Sequence, residues 1–216
     1  KNQNLEIMRH SCSHVMAAAI FKLYPQVKFG IGPAIENGFY YDFDFEKPIE
    51  EKDLVKITAL MNQIIKEKSP FIKEDVSIEQ AKKIFKSQPY KIELIEDLAK
   101  EGNKKVSLYK TGDFIDFCSG PHVQDSSEIG SFKLLSLAGA YWRGSEKNKM
   151  LTRIYGICFP TQEGLNHHFH LLEEVKRRDH RKIGPQLELF LFHETAPGMP
   201  YWLPKGLTIL NELINF

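Results

Sequence analysis

The chain is poor in the features that mark extracellular, membrane-spanning and strongly polyanion-binding proteins. Only three cysteines, Cys12, Cys118 and Cys158, occur in its 216 residues, an odd count for a disulfide framework and one that suits a reducing compartment. No run of about 18 apolar residues and no basic-then-apolar leader is present, which argues against a membrane-spanning helix and predicts a cytoplasmic protein. Because the chain opens on Lys1 and not on Met, a preceding segment, including a targeting one, is compatible with it. Charge of one sign is missing too. With 29 Lys+Arg against 28 Asp+Glu the net charge is +1, so a polyanionic partner would have to be met by a local patch. No internal repeat or low-complexity tract is visible.

What is present suits a packed core. Hydrophobic residues make up 42% of the chain, ample for one generous domain or one domain plus part of another. Ile7, Val15, Ala18, Ala19 and Phe21 predict an amphipathic helix over Glu6–Leu23, ended by Pro25. Asn37-Gly38 ahead of Phe39, Tyr41, Phe43 and Phe45 predicts a hairpin whose aromatics line one sheet face. Leu54, Ile57, Leu60, Met61, Ile64 and Ile65 recur at helical spacing, with acids early and lysines late. A strand over Phe71–Val76 leads to Ser77 and Gln80 at capping-box spacing, and a further helix is expected over Ile92–Lys100. Two strands then flank Thr111-Gly112, and two more are joined by a polar turn at Ser145–Lys149. One long helix follows from Gln162 to His180, and Gly184-Pro185 breaks the pattern before a new segment with a helical end. The order predicts an α+β fold, an antiparallel sheet packed with helices and followed by a linker helix.

Chemistry concentrates in two distant stretches. In "RHSCSHVMAAA", His10 and His14 lie one helical turn apart, so both imidazoles point into the same small volume while Cys12 points elsewhere. In "DFCSGPH", Gly120-Pro121 argues for a strand end turning into a loop that carries Asp116, Cys118 and His122. H-x3-H and C-x3-H together give three imidazoles and a thiol. That is a zinc-like ligand set, and equally the groups that general-base or nucleophilic chemistry uses near neutral pH. Each residue singly also has a structural reading, as a helix-end histidine, a hydrogen-bonded core histidine or a small buried thiol. Cys12 and Cys158 read as packing residues. Gly30 and Gly32 in "GIGP" would let backbone N–H groups approach a ligand, or simply mark a tight turn.

These motifs, with "IGPAIENGFYYDFD", "KLLSLAGAYWRG", "MLTRIYG" and "KRRDHRKIG", occur in the order and at about the spacing seen in bacterial-type threonyl-tRNA synthetases. The chain resembles that family over essentially its whole length. The two ligand pairs are shared with alanyl-tRNA editing domains, whereas "AGAYWRG" and "RDHRKIG" point to the threonyl enzymes. The resemblance implies a fold of the threonyl/alanyl-tRNA synthetase second additional domain type. It implies an editing domain over residues 1–161, a linker helix over 162–183 and the beginning of a truncated class II aminoacylation domain over 184–216.

The implied activity is hydrolysis of the ester in mischarged seryl-tRNA(Thr), since a pocket built for threonine loses little when its substrate is one methyl smaller. The implied catalytic group is His10, Lys91, Cys118 and His122, and the implied substrate-binding group is His14, Tyr41 and Asp116, to which the residue reading of "GIGP" adds Gly32. By analogy His10 and Lys91 organise or activate the attacking water, and Asp116 holds the substrate ammonium. Tyr41, Cys118 and His122 would shape a pocket that admits serine and resists threonine's methyl. From residue type alone, Lys91 in its Pro-Tyr-Lys stretch would pass for solvated surface. No cofactor is expected for editing; a metal, if bound here, would take His10, His14, Cys118 and His122. ATP, Mg and Zn are expected only in the missing catalytic core, through which the full-length enzyme would form a homodimer, and this chain is not expected to aminoacylate.

The expected partners are tRNA(Thr) and seryl-tRNA(Thr), with no membrane. Phosphate contact could come from Lys176, Arg177, Arg178, Arg181 and Lys182, or from Lys133, Arg143 and Lys149 beside Tyr141 and Trp142. The bland alternatives are a solvated linker face and core aromatics. Two other functional readings stay open: a tRNA-binding appendage without hydrolytic activity, and a zinc-dependent trans-editing hydrolase of the alanyl type.

Overall fold

A computed structural model describes residues 2–216. Its described residues fall into two compact units, one ending at Leu165 and the other covering Asn166–Phe216.

In the first unit the centre is a helix, α1 (Asn2–Leu23). Every residue from Ser11 to Ile20 is buried, so this helix is enclosed all round, which corrects the amphipathic helix that its spacing predicts. Small residues make that possible: Ser11, Cys12, Ser13 and Ala17–Ala19 let neighbours approach the helix from every side. Three short strands follow: β1 (Lys28–Phe29), β2 (Ala34–Ile35) and β3 (Gly38–Asp44). The hairpin turn falls on Glu36-Asn37, one residue earlier than expected, because Ile35 pairs with Gly38. Phe39, Tyr41 and Phe43 alternate along β3 and are fully buried, as the period-2 pattern predicts.

Helix α2 (Asp53–Lys66) buries Leu54, Ile57, Met61 and Ile64. Strand β4 (Phe71–Ser77) runs into α3 (Ile78–Ile84), whose capping box is formed by Ser77 and Gln80. Helix α4 begins earlier than periodicity indicated, at Pro89, and runs to Lys100; proline suits the first helical position, where its missing N–H is not needed. Strands β5 (Lys105–Thr111) and β6 (Phe114–Phe117) form the expected hairpin around Gly112. β7 (Ser131–Tyr141) and β8 (Met150–Phe159) form the next one.

The strands of this unit make two antiparallel sheets where the sequence reading had one. The larger orders β1-β3-β8-β7, with β2 also on β3; the smaller orders β4-β5-β6. α1 contacts both, and Phe29, Tyr41, Phe43 and Phe114 pack ring against ring beneath it.

In the second unit the expected long helix is two. α5 (Gln162–Arg177), which starts at the end of the first unit, stops before Asp179, and α6 (His180–Gln186) is capped by the Asp179 side chain accepting from the Arg181 N–H at 3.0 Å. Gly184-Pro185 lies inside α6 and does not end it. A small hairpin of β9 (Phe190–Phe192) and β10 (Pro200–Trp202) precedes α7 (Pro204–Asn215).

Candidate active site

Helix α1, strand β6 with the loop behind it, and the first turn of α4 supply the titratable side chains of one cluster. The donor atoms of His10, His14, Cys118 and His122 all lie within 4.8 Å of one another. His10 Nε2 is 3.3 Å from Cys118 Sγ, and the Gly120 N–H donates to the same sulfur at 3.2 Å. Gly120 has φ 70°, and a Cβ there would lie 2.4 Å from the Tyr109 hydroxyl, so glycine is required twice over. The loop is held to α1 by Ser11, whose Oγ accepts from the Val123 N–H at 3.0 Å and lies 3.1 Å from His122 Nδ1.

Beside this cluster sits a buried ion pair. Lys91 Nζ lies 2.5 Å from Asp116 Oδ1, with both side chains at most 3% exposed. Lys91 also donates to the Tyr41 hydroxyl at 3.0 Å, which in turn donates to Asp116 Oδ2 at 2.6 Å. His14 Nδ1 stands 3.5 Å from that same oxygen. Among the described residues Lys91 is the group that meets Asp116 Oδ1.

A cleft of about 810 Å³ opens over these groups, lined by His10, His14, Gly32, Lys91, Asp116 and Cys118 among others. Burial pushes the His10 and His122 imidazoles below the usual histidine range, and His14 well below it. Asp116 opposes the shift at His10 and His122, and loses to desolvation in both. Burial raises the Cys118 thiol to about 11, against a smaller lowering by the Gly120 N–H. At neutral pH the cluster therefore holds neutral imidazoles and a protonated thiol. Such a site offers lone pairs for a proton next to a fixed ammonium and carboxylate, the components of acid-base hydrolysis.

Comparison with known proteins shows what this chain is similar to. Residues 106–155 match the family described as the threonyl and alanyl tRNA synthetase second additional domain. The threonine-tRNA ligase of Thermotoga maritima is 53% identical over 215 residues, 98% of this chain and 33% of the relative. Nearly the whole chain thus matches one third of a bacterial threonine-tRNA ligase. Those of Nitratidesulfovibrio vulgaris and Dehalococcoides mccartyi are each 49% identical, over 99% and 98% of this chain and 33% and 36% of the relatives. It spans about a third of the length of these relatives.

The eight candidate site residues divide by position. His10, His14, Gly32, Lys91, Asp116 and Cys118 line the cleft. Tyr41 and His122 are not on its wall: Tyr41 is fully buried behind Gly32, and a Cβ on Gly32 would lie 2.0 Å from the Tyr41 ring. Gly32 thus lets a ring support the cleft floor, and Ser13 ties the loop to α1 by donating to the Gly32 carbonyl at 2.7 Å. Sequence reading passed over Ser11, Ser13 and Tyr109, which carry no signal beyond their neighbours' identities.

Neither basic patch is a row of free cations. Arg177 and Arg178 pair with Glu174, and Arg181 pairs with Asp179. Arg143 pairs with Asp97 and Glu93, and Lys149 with Asp44. Trp142 is a core ring, as expected, and donates to Glu93 at 2.8 Å, whereas Tyr141 is exposed. Cys12 and Cys158 are fully buried, in keeping with packing roles. Among the described residues no helix is long and apolar enough to cross a membrane.

The depressed histidines make stability depend on pH. A histidine that is harder to protonate when folded takes up its proton preferentially on unfolding, so stability is complete above the unfolded value of 6.5 and falls as pH drops below it. For each such group the slope is up to about 1.4 kcal/mol per pH unit. Urea melts of the chelator-treated chain between pH 7 and 5 are expected to show this loss. It should shrink by about a third, on that same slope, in His14→Gln.

Proposed function

We propose that this chain is the proofreading region of its ligase and hydrolyses the ester of mischarged seryl-tRNA(Thr). The observation that carries this reading is the convergence of the two distant ligand pairs beside the Lys91–Asp116 ion pair in one cleft. In the reaction the water oxygen bonds to the seryl carbonyl carbon and the bond from that carbon to the ribose oxygen breaks. The water's proton ends on that ribose oxygen, giving free serine and a tRNA with its hydroxyl restored. His10, neutral and on the cleft wall, takes the proton first; the Cys118 thiol that now faces its Nε2 is a weak donor that water can displace. Lys91 places its positive charge beside the developing oxyanion. Asp116, a carboxylate on the cleft wall, accepts from the substrate ammonium. Tyr41 and His122 act from behind the cleft wall, on Asp116 and on the loop.

The tRNA partner, a cytoplasmic setting and the division into an editing domain, a linker helix and the start of an aminoacylation domain belong to this proposal. So does ligation itself, with ATP, Mg and Zn, in the parts of the relatives that this chain does not cover. By type and spacing the four donors suit a soft divalent cation. If one were held, His10, His14, Cys118 and His122 would hold it and it would polarise a bound water. The proposed chemistry assigns that water to His10.

The test is incubation of the chain with seryl-tRNA(Thr) and threonyl-tRNA(Thr), with and without prior treatment with a chelator. Serine is expected to be released faster than threonine, at the same rate in both preparations. Equal loss of the two esters, or none, removes the reading; loss of activity with the metal reassigns the water.

A further inference from the structure

His122 makes the cluster's least ordinary contacts. Its ring stacks on Phe71 at 4.9 Å with 8° between planes, meets Tyr109 edge-on at 4.4 Å, and presents Nδ1 to Ser11 Oγ at 3.1 Å. Its Nε2 is buried and has no hydrogen-bond partner among the described residues. Ser11 is fully buried, and its Oγ lies 2.9 Å from the Ile7 carbonyl as well as 3.0 Å from the Val123 nitrogen.

A hydroxyl has one proton and two lone pairs. If Ser11 gives its proton to Ile7, both lone pairs are used, one by the Val123 N–H and one by His122 Nδ1–H. If it gives the proton to His122 instead, Ser11 Oγ and the Ile7 oxygen face each other at 2.9 Å with no proton between them. That second arrangement also puts a proton on His122 Nε2, a buried donor with nothing to accept it, which is the costlier kind of orphan.

We propose that Ser11 is a positioning residue that fixes His122 as its Nδ1–H tautomer, so that Nε2 presents a bare lone pair to His10, His14 and Cys118. The His122 ring centroid lies 4.5 Å from that of His10 and 4.2 Å from that of His14, so the tautomer decides whether the cluster meets an acceptor or a donor from behind. With a lone pair there, His122 brings no donor against the lone pairs of His10 and His14. Ser11 would thereby set the proton inventory of the water-activating group without touching substrate. This consequence for catalysis rests on the editing reading; the tautomer does not.

The experiment is nitrogen NMR of the imidazoles in the labelled chain, with His122 assigned by its disappearance in His122→Gln. The expected result is a pyrrole-like, protonated Nδ1 and a pyridine-like Nε2, with protonated Nε2 appearing in Ser11→Ala and not in Ser11→Thr, which keeps the hydroxyl. A wild-type spectrum with protonated Nε2 overturns the assignment, as does an unchanged spectrum in Ser11→Ala. Should Ser11→Ala fail to fold, the wild-type spectrum alone decides. In the deacylation assay Ser11→Ala is expected to lower kcat by about five- to tenfold at unchanged KM, the scale of one lost hydrogen bond, with Ser11→Thr restoring it. An unchanged kcat overturns the catalytic role. A wild-type chain that hydrolyses no seryl ester removes the editing reading and this consequence with it, while the spectra still judge the tautomer.

Discussion

Replacing Lys91 with methionine is expected to destabilise the first unit by about 3–5 kcal/mol, the usual cost of stripping one partner from a buried ion pair. Methionine keeps the volume of the stem, so the loss is electrostatic and not a cavity. Asp116 would be left 2% exposed, with the Tyr41 hydroxyl at 2.6 Å as its strongest remaining donor. His14, at 3.5 Å, is a poor substitute, because burial opposes its protonation. Urea denaturation of the single variant, of Asp116→Asn and of the double variant forms a closed cycle. The double variant is expected to cost less than the sum of the singles, since no uncompensated carboxylate remains. A Lys91→Met penalty below about 1 kcal/mol, the level of an exposed pair, would show that Lys91 and Asp116 are not a buried pair in solution. Their siting in the cleft would then need revision.

The second large effect belongs to His10. His10→Ala is expected to slow seryl-ester release by about 10²–10⁴-fold, the contribution of a positioned acid-base group. The fold should survive, because His10 is only partly buried and the contacts it loses, to Cys118 Sγ and to the rings of His14 and His122, lie at the cleft wall. Comparing deacylation rates with tRNA affinity and with the urea midpoint separates chemistry from binding and folding. A His10→Ala chain that releases serine at the wild-type rate, with its midpoint unchanged, would take the proton-accepting role away from His10.

How much of this was readable beforehand varied with the kind of interaction. The hairpins of β5–β6 and β7–β8, helix α2 and the Ser77–Gln80 box follow from local period and turn chemistry, and the structure has them where the pattern put them. Boundaries set by tertiary packing did not follow. α4 begins at Pro89, three residues before the apolar period starts, and that extra turn is what carries Lys91 inward. Lys91 was found through the family resemblance and not through its own surroundings in the chain, which read as surface. The break at Asp179 and the continuation through Pro185 were misjudged because a side-chain cap outweighed the usual meaning of Gly-Pro.

From its residues alone the chain determined two clusters of ligand-type side chains, an α+β order of elements, and the alternating aromatics of β3. Each of these depends on spacing along one segment, and spacing is local. Folding decided that the clusters meet, that α1 is enclosed on all sides, that the strands divide between two sheets, and that Tyr41 and His122 stand behind the cleft while Lys91 enters it. Those outcomes depend on which surfaces exclude water together, and desolvation is a property of the assembled interior that no single segment carries.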